Sequence, residues 1–66
     1  MNLTVNGESR SFSENINLKE LILNLEIESK VMAAAVNMEV VKKENWEECI
    51  LKDSDKVELL NFVGGG

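Results

Sequence analysis

The chain has 66 residues, of which 44% are hydrophobic and 29% charged, and its net charge at pH 7 is −5. This length and composition suit one globular domain, and a domain so small buries only about 60% of the surface that its unfolded chain exposes. Little stability is left for a pocket lined with buried polar groups. We therefore expect a protein that presents a surface to partners and is not itself an enzyme.

The composition also argues against several classes of partner. Acidic charge repels the phosphates of nucleic acid and favours basic protein surfaces, although it also serves solubility alone. No apolar run approaches the roughly 20 residues that cross a bilayer, and no signal-peptide pattern opens the chain. The single cysteine, Cys49, cannot form an internal disulfide, as expected in a reducing compartment. We expect a cytoplasmic protein that binds neither nucleic acid nor membrane.

The chain contains no histidine, the commonest acid–base catalyst. It also has no HxxE, CxxC or paired-carboxylate arrangement that would indicate a metal centre or an acid–base pair. We therefore predict no catalytic residues, no metal site and no stably bound cofactor.

The first half of the chain predicts a β-hairpin followed by a helix. Asn6-Gly7 lies between two alternating segments and is typical of a type I′ turn, in which both central residues have positive φ. Asn17 and Glu20 have the spacing of a capping box at a helix start. An apolar stripe at helical spacing follows and predicts a helix ending near Leu25 or Glu26; its members are Leu18, Leu21, Ile22 and Leu25.

The second half predicts strands. The apolar run Val31 to Val36 suits a strand buried on both faces or a second short helix, and we favour the strand because the hairpin and helix need one to pack around. Short extended segments are predicted at Val40-Val41 and at Cys49 to Leu51, then a turn at 53–55 and a last strand from Val57 to Val63. This order is that of an α+β, β-grasp fold, with four to five strands packed on one helix.

The chain ends in Gly64, Gly65 and Gly66, directly after the last predicted strand. Glycines add nothing to a core, so these are either a frayed terminus, a cloning remnant or a flexible reactive tail that enters a narrow channel in a partner. We favour the tail, and predict a β-grasp domain at 1–63 and a flexible reactive tail at 64–66. A terminal carboxylate is ionised at neutral pH and is a poor electrophile, so it needs activation, for example by ATP.

The chain resembles the ThiS family, the ubiquitin-like sulfur carriers of thiamin thiazole synthesis. The resemblance extends over essentially the whole chain and rests on Leu3 to Glu8, Leu18 to Leu25, Ala35 to Asn37, Glu39 to Val41, Trp46, Asp53 to Asp55 and Val57 to Gly66. It implies that Gly66 is adenylated by a ThiF-like enzyme, which uses ATP, and is converted to a thiocarboxylate. It further implies that the sulfur passes to a ThiG-like thiazole synthase.

The chain departs from the family pattern at two places. The family often has proline and arginine where Lys42 and Lys43 stand, and glycine where Ser54 stands. Both places are predicted turns or loops, so we expect local backbone changes without loss of function.

A docking surface is predicted next to the tail. Side chains alternate along the last strand, so if Val57 and Leu59 enter the core, then Leu60 and Phe62 lie on the outer face. Together with Val63 they would form a partner-binding patch, unless Phe62 folds back into the core.

Two further side chains are predicted to pack and not to react. Cys49 could carry a persulfide, but a lone cysteine beside Ile50 and Leu51 is more typical of a small buried hydrophobe. Trp46 is predicted to be a packing residue.

Two alternative functions stay open at this point. A small subunit of molybdopterin synthase or a ubiquitin-like modifier would use the same activated glycine, and the acceptor distinguishes them. A β-grasp binding module without tail chemistry would keep its function after loss of the last two glycines.

Overall fold

One mixed sheet and one helix make up the fold, in a computed structural model that describes residues 1–25 and 31–61. The elements in chain order are β1 (Asn2–Val5), β2 (Glu8–Ser11), α1 (Leu18–Asn24), β3 (Val31–Val36), β4 (Glu39–Val41), a 3-10 helix (Lys43–Glu48) and β5 (Lys56–Asn61). The predicted α+β class and the predicted order of hairpin, helix and later strands are confirmed.

The last strand lies at the centre of the sheet. The strand order is β2-β1-β5-β3-β4, with β5 parallel to β1 and antiparallel to β3. The helix connection between β2 and β3 leaves room for the closing strand to pair with the first, as the β-grasp prediction requires. β5 is therefore an interior strand with a hydrogen-bonded neighbour on each side, as β1 and β3 also are.

The opening hairpin turns at Asn6 and Gly7. Their φ angles are 49° and 85°, both positive, as a type I′ turn requires. Val5 pairs with Glu8 across the turn and Asn2 pairs with Ser11 at the other end. The predicted hairpin is confirmed.

The helix begins at a complete capping box. The Asn17 side chain accepts from the Glu20 N–H at 2.7 Å, and the Glu20 carboxylate accepts from the Asn17 N–H at 3.0 Å. Helix α1 ends at Asn24 with Leu25 as its C-cap, one end of the predicted range, while Glu26 lies outside the described residues. The apolar stripe faces the core, where Leu18, Leu21 and Ile22 are fully buried.

Strand β3 is confirmed as a strand, but the prediction that it is buried on both faces is wrong. Val31 and Ala34 are buried, whereas Met32 is 62% exposed. A register shift against β5 between Val31 and Ala33 adds a residue to β3. This bulge lets two residues three positions apart both reach the core, and the other face of the strand stays open to solvent.

The segment after β4 forms a 3-10 helix that the sequence did not predict. It presents Trp46 to the core, where the ring is 1% exposed and its Nε1–H donates to the Val41 carbonyl at 2.9 Å. The predicted packing role of Trp46 is confirmed. The next segment is extended, as predicted, and Ile50 forms an isolated antiparallel bridge with Asn17.

The two departures from the family pattern lie at positions with distinctive backbone angles. Lys42 has φ −64°, a value that proline also adopts, whereas Lys43 begins the 3-10 helix and so does not lie in the predicted loop. Ser54 has φ 74°, in the left-handed region that favours glycine. The serine is therefore accommodated in a turn whose conformation suits glycine better.

Candidate functional site

The predicted reactive end is attached to the central strand. Gly64, Gly65 and Gly66 lie outside the described residues, as do Phe62 and Val63, so the boundary between domain and tail stays a prediction. The structure does describe β5, which leads to that end and pairs with a neighbour on each side. The chain end is therefore joined directly to the central strand of the sheet.

Side chains alternate along β5 as predicted. Val57 and Leu59 point into the core and are 0% and 8% exposed. Glu58 and Leu60 point to the outer face, the side of the sheet opposite the helix, and Leu60 is 61% exposed. The predicted outward position of Leu60 is confirmed, and its role in binding a partner stays a prediction.

The register of the strands places further apolar side chains beside Leu60. Ala33 is paired with Leu60, and Ala35 is paired with Glu58 on one side and with Val40 on the other. Residues paired across strands share a face, so these side chains lie on the outer face. We call Ala33, Ala35, Val40 and Leu60 the outer apolar patch.

The outer apolar patch has a shallow depression at its middle. Its volume is about 300 Å³, and its lining includes all four patch residues together with two polar ones, Glu58 and Asn6. The alanine side chains of β3 are short, whereas Leu60 and Val40 on the flanking strands are longer and strongly exposed, at 61% and 75%. A central row of small residues between two rows of larger ones gives a groove along β3 that suits apolar side chains of a partner.

The other half of the same sheet face is polar. Thr4 is paired with Ser9 and Asn2 with Ser11, and the Ser11 hydroxyl lies 3.0 Å from the Asn2 amide oxygen. The apolar part of the outer face is therefore confined to β5, β3 and β4. The predicted patch extends away from the chain end onto β3 and β4, and the sequence analysis missed Ala33, Ala35 and Val40 because only the pairing register brings them to Leu60.

Cys49 is half-buried at the edge of the core. Burial, and secondarily the charge of Asp55, raises the pKa of its thiol above the ordinary cysteine value. A raised pKa lowers the thiolate fraction near neutrality, which supports the predicted packing role over a reactive one.

Neither a metal-binding cluster nor a membrane-spanning helix is found among residues 1–25 and 31–61. No three His, Cys, Asp or Glu side chains come together there in a metal-binding group. Within the same ranges no helix has the length and apolar character needed to cross a bilayer.

Comparison with known proteins places the chain in a family. The model of the ThiS family matches residues 3–66. The chain is 31% identical over 65 residues to the sulfur carrier protein ThiS of Bacillus subtilis, covering 97% of this chain and 98% of that protein. It is 36% identical over its whole length to part of a thiazole synthase of Paramagnetospirillum magneticum, and spans 20% of that protein.

A solved structure agrees over the full chain. The crystal structure of the thiamine biosynthesis protein ThiS from Geobacter metallireducens has a TM-score of 0.83 and 38% sequence identity, with 100% of both chains covered. The family match, the identity to a ThiS carrier over nearly all of its length and the shared fold agree. This chain belongs to the ThiS family.

Proposed function

We propose that this chain is a sulfur carrier of thiamin thiazole biosynthesis and that Gly66 carries the sulfur. The observation that supports this most is the family match, which runs through the final glycine. The protein is then a substrate and sulfur donor for partner enzymes and performs no catalysis of its own.

The chemistry proceeds in two steps at the terminal carboxylate. In the first, a carboxylate oxygen of Gly66 attacks the α-phosphate of ATP, pyrophosphate leaves, and an acyl-adenylate forms. In the second, a sulfur nucleophile at the oxidation level of sulfide attacks the carbonyl carbon and AMP leaves, giving the thiocarboxylate. A ThiF-like adenylating enzyme supplies the ATP site, so the carrier itself needs no nucleotide pocket.

The acceptor in this proposal is a ThiG-like thiazole synthase. The relative from Paramagnetospirillum magneticum supports it, because that thiazole synthase contains a segment similar to this whole chain. A carrier and a synthase within one protein meet at high effective concentration. A carrier domain that is not joined to its acceptor meets it through a docking surface instead.

The outer apolar patch is the proposed docking surface. Leu60 is six residues from Gly66, and six extended residues span about 20 Å at most. A partner that binds the patch must therefore have its nucleotide or acceptor site within that distance of Leu60. Apolar contact at the patch contributes binding affinity, and the glycines, which have no side chains, let the chain end enter the partner's nucleotide or acceptor site.

Two variants separate docking from chemistry. A chain that ends at Gly64 keeps the patch, so we expect it to bind a purified ThiF-type enzyme with near-normal affinity and to form no acyl-adenylate. Leu60→Glu keeps all three glycines and is expected to bind weakly. If the truncated chain still supports thiazole formation in a reconstituted system, the tail chemistry is wrong and a simple binding module is the better description.

The alternative carriers differ in the acceptor. If thiocarboxylate forms but sulfur passes to a molybdopterin synthase large subunit, or if Gly66 becomes linked to a protein amine, the carrier chemistry stands and the pathway is wrong. A cytoplasmic location is part of the proposal, since the activating step consumes ATP and Cys49 is a free thiol.

A further inference from the structure

The Asn6-Gly7 turn contacts the strand that bears the chain end. The Asn6 backbone N–H donates to the Val57 carbonyl at 2.9 Å. The Asn6 side-chain oxygen accepts from the Leu59 backbone N–H at 2.8 Å, across 53 positions of sequence. One residue of the first hairpin therefore holds two successive points on the β1 side of β5.

The second of these bonds lies where β5 extends beyond β1. The described pairing of β1 with β5 ends at Val5 and Val57, because the chain then turns away into β2. Strand β5 continues and remains paired with β3 through Leu59, Leu60 and Asn61. At Leu59 the Asn6 amide oxygen occupies the place that a backbone carbonyl of a longer β1 would have.

The buried position of Leu59 makes this bond costly to lose. Leu59 is 8% exposed, so water reaches its surroundings poorly. An unpaired N–H at such a place is strongly disfavoured, and the strand would shift or fray to reach solvent. Among the described contacts of β5, this is the last one on the β1 side before the chain end.

We propose that Asn6 is a positioning residue for the reaction at Gly66. By holding Leu59, it fixes the β1 side of β5 directly before Leu60 and Asn61, the last described residues on the way to Gly66. A partner docked on the patch then receives the terminal carboxylate close to its nucleotide. This inference rests on the proposed carrier function.

The turn offers variants that separate positioning from stability. Asn6→Gly accepts the positive φ of 49° and removes the acceptor, whereas Asn6→Asp keeps an acceptor oxygen at the same distance from the backbone. Gly7→Ala is the matched control. Its new Cβ would meet nothing within 4 Å, but φ of 85° strains alanine, so the turn loses stability with the Asn6–Leu59 bond in place.

The first measurement needs no partner. Hydrogen exchange by NMR is expected to show the Leu59 amide much less protected in Asn6→Gly than in Gly7→Ala, when both are compared at equal global stability. Asn6→Asp is expected to restore the protection.

The second measurement is the steady-state rate of adenylation by a purified ThiF-type enzyme. Asn6→Gly is expected to lower kcat by roughly 3- to 10-fold with a smaller change in KM, because all four patch residues are kept and only the Asn6 edge of the depression is altered. Asn6→Asp is expected to restore kcat, and Gly7→Ala to keep the wild-type value.

Three results would be decisive against the inference or its foundation. Wild-type kcat in Asn6→Gly, despite an exposed Leu59 amide, would overturn the positioning role. An equal fall of kcat in Gly7→Ala would assign the effect to turn stability instead. If the wild-type chain is not adenylated at all, the carrier function itself fails, while the exchange data still test whether Asn6 holds Leu59.

Discussion

Replacing Leu60 tests whether the outer apolar patch is the docking surface. Leu60 is 61% exposed in the free chain, so a partner can remove that fraction from water. Full burial of a leucine side chain contributes about 1.5–3 kcal/mol, and the exposed fraction therefore about 1–2 kcal/mol. We expect Leu60→Ala to weaken binding of a ThiF-type enzyme by roughly 5- to 30-fold.

Leu60→Glu is expected to weaken binding further, because docking would bury a carboxylate without a partner. The assay is isothermal titration calorimetry with the purified enzyme, with urea unfolding to check that each variant is folded. Exposure of Leu60 in the free chain means that neither variant should lose much stability.

The matched control for Leu60→Glu is Ser9→Glu. Ser9 is exposed and lies on the polar half of the same sheet face, paired with Thr4. It adds the same charge without touching the patch, so near-normal affinity is expected. Wild-type affinity in folded Leu60→Ala and Leu60→Glu would refute the docking surface, and equal losses in Ser9→Glu would assign the effect to net charge.

Three further predictions concern the body of the domain. Met38 has φ 71° and is 88% exposed, so Met38→Gly should raise the free energy of unfolding by about 1 kcal/mol in urea titrations by relieving backbone strain, whereas Met38→Ala should not. Ser54→Gly, at φ 74°, should raise the thermal midpoint by about 4–8 °C for the same reason, and an unchanged midpoint would show that the serine is not strained. Because burial raises the pKa of the Cys49 thiol, iodoacetamide at pH 8 should alkylate it more slowly in the folded chain than in urea. The difference between the two alkylation rates should shrink as the pH rises through the folded-state pKa. Equal rates at pH 8 would contradict a raised thiol pKa.

The elements that depend on local chemistry could be predicted from the sequence. Asn6-Gly7 determines its own turn because both residues tolerate positive φ, and Asn17 with Glu20 satisfies the free N–H groups of a helix start within four residues. Alternation along β5 also follows from a local rule, the pleat of a strand. These features need no knowledge of the rest of the chain.

The features that were missed depend on residues far apart in sequence. At the β3–β4 turn, the Asn37 side chain donates to the Asp55 carboxylate and accepts from the Lys56 N–H, 18 and 19 positions further along the chain. The bulge that turns Met32 to solvent exists only against β5. Likewise, the contact of Asn6 with Leu59 spans 53 positions, so no local pattern could reveal it.

The outer apolar patch was likewise predictable only in the part that depends on local sequence. The outward position of Leu60 follows from strand periodicity alone, whereas Ala33, Ala35 and Val40 join it only through the register of β3 with β5 and β4. The chemistry at Gly66 was inferred from resemblance to the ThiS family, because a carboxylate at the end of a chain has no distinguishing pattern of its own.

Intact-mass spectrometry tests the central claim most directly. The full chain is incubated with ATP, a ThiF-type adenylating enzyme and a sulfide donor, beside a reaction without ATP and one with the chain ending at Gly64. The account predicts an ATP-dependent mass gain equal to exchange of one oxygen for sulfur, located at Gly66 by fragmentation and absent from the truncated chain. An unchanged mass, with an enzyme that converts its own carrier under the same conditions, would contradict it.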